Sequence, residues 1–136
     1  MKEKLFIDTG VFFARLYQKD QNHEAATKTW LTIINDYQIV SSNYIFEETI
    51  TLVRKKIGIR ESIEFANQLL QSKNIQIYEI DSNQRKKAFD IFKKYDDKDF
   101  SFTDCTSFTF MQELNIKKAF SFDKHFSQMG FTLINA

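Results

Sequence analysis

Two kinds of apolar pattern alternate along this chain. Short blocks of nearly continuous or two-period hydrophobicity occur at Leu5-Phe6-Ile7, at Ile39-Val40-Ser41, at residues 75–80 (IQIYEI), within residues 117–122 and at residues 131–134. Between them, apolar residues recur every three or four positions. A continuous apolar run predicts a strand buried on both faces, the usual state in a parallel sheet, whereas the longer period predicts amphipathic helices. Helices are expected over residues 11–16 and, after Asp20–Asn22, over a segment carrying Ala26, Trp30, Ile33, Ile34 and Tyr37. The next spans residues 44–57, capped by Ser42 or Asn43 and ended by Gly58. A further helix presents Ile59, Ile63, Ala66 and Leu70 as its apolar stripe. Asp81-Ser82 opens another, with Ala88, Phe89, Phe92 and Tyr95, and residues 103–114 form the last long one. The two-period block at 75–80 is expected to be less buried than the first strand.

Strands joined through helices favour parallel pairing with right-handed crossovers. The expectation is an α/β fold, a three-layer α/β/α sandwich around a central, mostly parallel sheet, in one domain over residues 1–136. Composition adjusts this picture only slightly. Fifteen Phe residues make the core aromatic, and no Pro with three Gly suits helices with tight connections. A net charge of +1 announces no polyanion partner, so any basic surface is local. A single cysteine, Cys105, excludes an intrachain disulfide framework and fits a reducing compartment. No apolar run approaches the ~18–20 residues of a membrane span, and no signal-peptide pattern opens the chain, so the expected location is cytoplasmic.

The acids carry the chemistry. Asp8 closes the first strand, with Thr9 and Gly10 turning the backbone, and Asp123 follows Ala119-Phe120-Ser121-Phe122. Ligands of open parallel sheets bind beyond the carboxyl ends of the strands, so two acids ending parallel strands share one sheet edge. Asp104 lies in the first turn of a helix, where the helix dipole alone would favour a carboxylate. Glu47 and Glu48 flank opposite edges of an apolar stripe, and periodicity does not choose between them.

The segments FIDTGVFFA, SSNYIFEETITLVRK, DFSFTDCTSFTFMQELNI and FSFDKHFSQMGF together resemble the four acidic motifs of PIN-domain nucleases, in particular the bacterial VapC-like ribonuclease toxins. Carried over motif by motif, the resemblance implies that the catalytic acids are Asp8, Glu48, Asp104 and Asp123, with Asp8, Asp104 and Asp123 on the metal and Glu47 directed to solvent. Mg²⁺ or Mn²⁺ is the implied cofactor, because hard cations take carboxylate oxygens and can activate water and neutralise phosphate charge. Cys105 alone, with His23 and His125 far apart in sequence, offers no zinc set. Thr9, Thr103 and Ser107 are secondary candidates near the acids. Asp96, Asp97 and Asp99 could assist a metal but read as loop acids, Cys105 reads as a small buried residue, and His125 could touch a phosphate but reads as an exposed loop residue. Two basic clusters, Arg54, Lys55, Lys56 with Arg60, and Arg85, Lys86, Lys87, are the candidate RNA contacts, since phosphates dominate nucleic-acid affinity. The resemblance also implies an RNA substrate, a homodimer and a small antitoxin protein covering the site. Two other functions compete with it: a catalytically inactive PIN-like module binding RNA or protein, and a receiver-type phosphoacceptor domain. The latter fits less well, since Asp8 has no paired acid and Lys118 and Lys124 match its late lysine poorly.

Overall fold

The computed structural model describes residues 1–134; residues 135–136 of the domain read from sequence lie outside it. Within the described residues the order is β1 (Lys4–Ile7), α1 (Thr9–Leu16), α2 (His23–Asp36), β2 (Gln38–Ser42), α3 (Asn43–Lys56), α4 (Ile59–Gln71), β3 (Ile75–Tyr78), α5 (Ser82–Lys94), α6 (Phe102–Glu113), β4 (Lys118–Phe120), α7 (His125–Gln128) and β5 (Thr132–Ile134). The strands pair in the order β3-β2-β1-β4-β5, and every pairing is parallel. Helices α1 to α4 pack on one another, and α5 pairs with α6. Right-handed crossovers outward from β1 and back across to β4 put these two groups on opposite faces, which gives the expected three layers.

Leu5, Phe6 and Ile7 are wholly buried, as a strand covered on both faces requires. Phe6 packs against Phe110 of α6 at 5.7 Å and Phe126 of α7 at 5.9 Å between ring centroids. On the α1 side, Phe12 meets Trp30 at 6.1 Å and Phe65 at 5.6 Å. The outer strand β3 is only partly buried, in keeping with its alternating sequence.

Three expectations fail in instructive ways. The stripe expected to bury α4 faces solvent: Ile59, Ile63 and Leu70 are exposed, while Ser62, Phe65 and Leu69 are buried. Both sets have helical spacing. The aromatic contact of Phe65 with Phe12 decides the rotation, and Ser62 enters because its hydroxyl donates to the Ile50 carbonyl at 2.8 Å. Likewise Phe89 and Phe92 of α5 are exposed, leaving Ala88 as that helix's buried residue. Finally, β4 ends at Phe120 instead of residue 122, so Asp123 stands three positions beyond the strand rather than directly after it.

Candidate functional site

Strand order reverses between β1 and β4, whose neighbours lie on opposite sides. Connections leaving such a pair diverge to opposite faces and open a crevice at their carboxyl ends. Asp8 leaves β1 there, its N–H donating to the Phe120 carbonyl of β4 at 3.1 Å. Ser41 of β2 steadies the same edge by donating its hydroxyl to the Ile7 carbonyl at 2.8 Å. Asp8 is the N-cap residue of α1 by backbone conformation, yet its carboxylate makes no cap hydrogen bond. That carboxylate instead receives the Ser121 hydroxyl at 2.9 Å. The same Ser121 oxygen accepts the Asp123 N–H at 3.0 Å, so one serine links the two acids.

Asp104 arrives from the other side, in the first turn of α6. Ser101 is the cap: its hydroxyl accepts the Asp104 N–H, and Asp104 Oδ2 accepts the Ser101 N–H, both at 3.0 Å. Glu48 reaches the site from the second turn of α3, whose cap Ser42 accepts the Ile45 N–H at 3.3 Å.

These residues line one open cavity of about 720 Å³, bounded by Asp8, Thr9, Gly10, Glu48 and Asp104 on one part of its wall and Ser121, Asp123, Lys124 and His125 on another. Asp99 also lines it, while Glu47 lies on a separate shallow depression beside Thr51 and Lys55. Thr9 contributes a buried Oγ1 that has no hydrogen-bond partner. Thr103 and Ser107 do not line the cavity; the Ser107 hydroxyl donates to the Thr103 carbonyl at 3.1 Å. Cys105 is buried, and burial with the nearby Asp104 charge pushes its thiol up to about 11, which suits an inert packing residue.

Electrostatically the cavity is short of positive charge. Burial, followed by the Asp104 and Glu48 carboxylates, pushes the Asp8 carboxyl up to about 7, against hydrogen bonds from Ser121 and the Thr9 backbone that favour ionisation. Crowded acids of this kind are what a divalent cation relieves. The donor set fits such an ion: carboxylate oxygens on facing elements and an orphaned buried hydroxyl at Thr9.

Two residues stand among the acids in a way the sequence reading did not anticipate. Ser121 is one. His125, expected to be exposed, is the other: its side chain is 15% exposed, with Nδ1 2.8 Å from Asp104 Oδ2 and 3.0 Å from Asp123 Oδ2. Its backbone N–H donates to Asp123 Oδ1 at 3.0 Å, and its ring meets Phe100 edge-on at 5.4 Å. The turn from Asp123 to the His125 N–H is local, but no residue pattern marks it, since a backbone donor follows nearly every Asp. Neither basic cluster lines the cavity, whereas Lys124 does. Lys87 is paired with Glu113, and Arg85 donates to the Ile80 carbonyl at 3.3 Å. Arg54, Lys55 and Lys56 are exposed at the end of α3, about 9–12 Å along the helix axis from Glu48.

Comparison with known proteins adds independent findings. A family model for the PIN domain matches residues 5–132. The 23S rRNA-specific endonuclease VapC20 of Mycobacterium tuberculosis is 28% identical over 127 residues, 93% of this chain and 95% of that protein. Its crystal structure, that of a sarcin–ricin loop cleaving toxin, superposes with a TM-score of 0.90 at 26% identity, over 97% of this chain and 99% of that one. A VapC ribonuclease of Archaeoglobus fulgidus is 30% identical over 125 residues, 89% of this chain and 78% of that protein. VapBC2 of Rickettsia felis, bound to a DNA fragment from their promoter, matches in fold alone, with a TM-score of 0.73 at 9% identity over 96% of this chain and 97% of that one. Among the described residues, no helix is long and apolar enough to cross a membrane.

Proposed function

The chain belongs to the PIN-domain family, and on that footing we propose that it is the ribonuclease toxin of a toxin–antitoxin pair, an endonuclease hydrolysing RNA phosphodiester bonds with Mg²⁺ or Mn²⁺. The observation that carries this reading is the gathering of Asp8, Glu48, Asp104 and Asp123 around one open cavity at the switch point of the sheet. Family membership removes the ground for the receiver-type alternative. An inactive module binding RNA would gain nothing from such an acidic cavity, whose charges repel one another and a polyanion alike.

Asp8, Asp104 and Asp123 would hold the cation. Bound there, it supplies charge neutralisation at the phosphoryl oxygens and a water of lowered pKa. The chain's own residues do the rest. Ser121 holds the Asp8 carboxylate by its 2.9 Å hydrogen bond and keeps it in register with Asp123. Glu48, exposed on the α3 wall, is placed to orient and deprotonate an attacking water. Lys124 offers an ammonium to a phosphate at the cavity mouth, while the clusters at Arg54, Lys55, Lys56 and Arg60 and at Arg85, Lys86 and Lys87 are more distant contacts for the RNA chain. An antitoxin partner, a homodimer and a cytoplasmic location go with this reading.

The test is cleavage of RNA by the purified chain, with ribosomal RNA as the first substrate because the VapC20 relative acts on 23S rRNA. Metal-dependent scission that is lost in Asp8→Asn supports the proposal; scission that survives in Asp8→Asn at saturating metal contradicts it.

A further inference from the structure

We propose that His125 is itself a metal ligand, its Nδ1 joining Asp104 Oδ2 and Asp123 Oδ2 in a mixed nitrogen–oxygen site that takes a transition ion such as Mn²⁺ in preference to Mg²⁺. This rests on the nuclease reading of the cavity and goes beyond it, since an all-carboxylate site needs no histidine.

The three donor atoms lie within 4.8 Å of one another, and Nδ1 stands 2.8 and 3.0 Å from the two carboxylate oxygens. Ligands at right angles on an ion with bonds of about 2.1 Å are about 3 Å apart. Those two separations therefore suit adjacent ligands on one ion as well as a shared hydrogen bond. The ring is not free to leave: Phe100 packs edge-on against it, and the His125 N–H is tied to Asp123 Oδ1. A second observation points to a ligand at this place. Thr9 is 6% exposed and lines the same cavity, with an Oγ1 that no protein group satisfies. Its partner is one that the protein itself does not supply. The preference follows from donor type, because imidazole nitrogen suits transition ions, whereas Mg²⁺ favours oxygen and holds its water.

The competing role is a clamp, with Nδ1–H bridging the two carboxylates and yielding when metal enters. The two roles predict opposite responses. A ligand's loss weakens Mn²⁺ binding, while removing a clamp leaves it unchanged or strengthens it. The experiment is Mn²⁺ binding followed by pulsed electron paramagnetic resonance, on wild type, His125→Ala and His125→Asn. The asparagine keeps an N–H near the Nδ1 position, so it preserves the local hydrogen bonds if the alanine variant folds poorly. Wild type should show a directly coupled ¹⁴N that both variants lack, with Mn²⁺ affinity reduced about tenfold or more and Mg²⁺ affinity little changed. Absence of that coupling, or Mn²⁺ affinity in the variants at or above wild type, overturns the ligand role. Asp8→Asn and Asp104→Asn separate the two levels of inference. If neither weakens Mn²⁺ binding, or wild type binds none, the cavity is not the metal site at all. If both weaken it but no nitrogen couples, only the role of His125 fails.

Discussion

Helices α5 and α6 begin with the same hydrogen-bond pattern and do different work. At α5, Asp81 Oδ1 accepts the Gln84 N–H and Gln84 Oε1 accepts the Asp81 N–H, both at 2.9 Å. At α6, Ser101 and Asp104 exchange the equivalent pair at 3.0 Å. Each box satisfies two otherwise unpaired backbone donors. The α5 box closes with a neutral amide beside exposed residues. The α6 box closes with a carboxylate whose Oδ2 also faces His125, opposite Asp8 and Asp123. A capping acid is thus a structural device by its sequence, and in the proposed function it gains a chemical role through the acids gathered opposite it.

The strongest way to break this comparison is to neutralise Asp104 while keeping its cap. In Asp104→Asn the side-chain carbonyl can still accept the Ser101 N–H, so melting temperature should stay within a few degrees of wild type. RNA cleavage should fall by about a hundredfold to a thousandfold, the scale of removing one preorganised charge-stabilising group. Equal loss of fold and activity would mean that Asp104 is only a cap.

Asp8→Asn probes the charge stored in the cavity. The folded pKa of Asp8 is about 7, above its ordinary value of 3.8. Between those values the folded chain holds a proton that the unfolded chain has released, so this group's contribution to stability falls as pH rises through the window. Metal-free Asp8→Asn should melt several degrees above metal-free wild type at pH 8, with the gap closing toward pH 4. A gap independent of pH would place the effect in packing instead of charge.

Asp81→Ala is the control at the other box. It should cost about 1 kcal/mol of stability, the usual worth of an N-cap, and leave metal binding and specific activity unchanged. Thermal melts and cleavage assays on one preparation check both. The smallest effect is expected from neutralising Arg54, Lys55 and Lys56 together: RNA affinity should drop a few-fold and its salt dependence flatten by about 0.7 for each lost phosphate contact. An unchanged salt slope would remove this face from the substrate path.

Much of this site was readable before the fold was known. Asp8 follows from an apolar run that stops at an acid, whereas Asp104 reads only as a first-turn helix acid until the motif resemblance is added. Asp123 is brought to the cavity although β4 stops at Phe120, because Ser121 takes the place beside Asp8 and turns the chain. That serine looked like one more residue of a strand pattern. His125 reads as an exposed loop residue because its partners are a nearby acid and one 21 positions away, a proximity that only the reversal of strand order creates. The rotation of α4 was illegible for a related reason: Phe65 and Ile63 are equally apolar, and only the contact with Phe12 distinguishes them.

This acidic cavity, as proposed, is a metal-dependent RNA-cleaving centre. Its most direct test is to strip the purified chain of divalent ions with excess chelator, assay RNA cleavage, and then restore Mn²⁺ or Mg²⁺. Cleavage should cease on stripping and return with the added ion in wild type, while Asp104→Asn stays inactive throughout. Scission that persists at full rate in excess chelator would contradict the account.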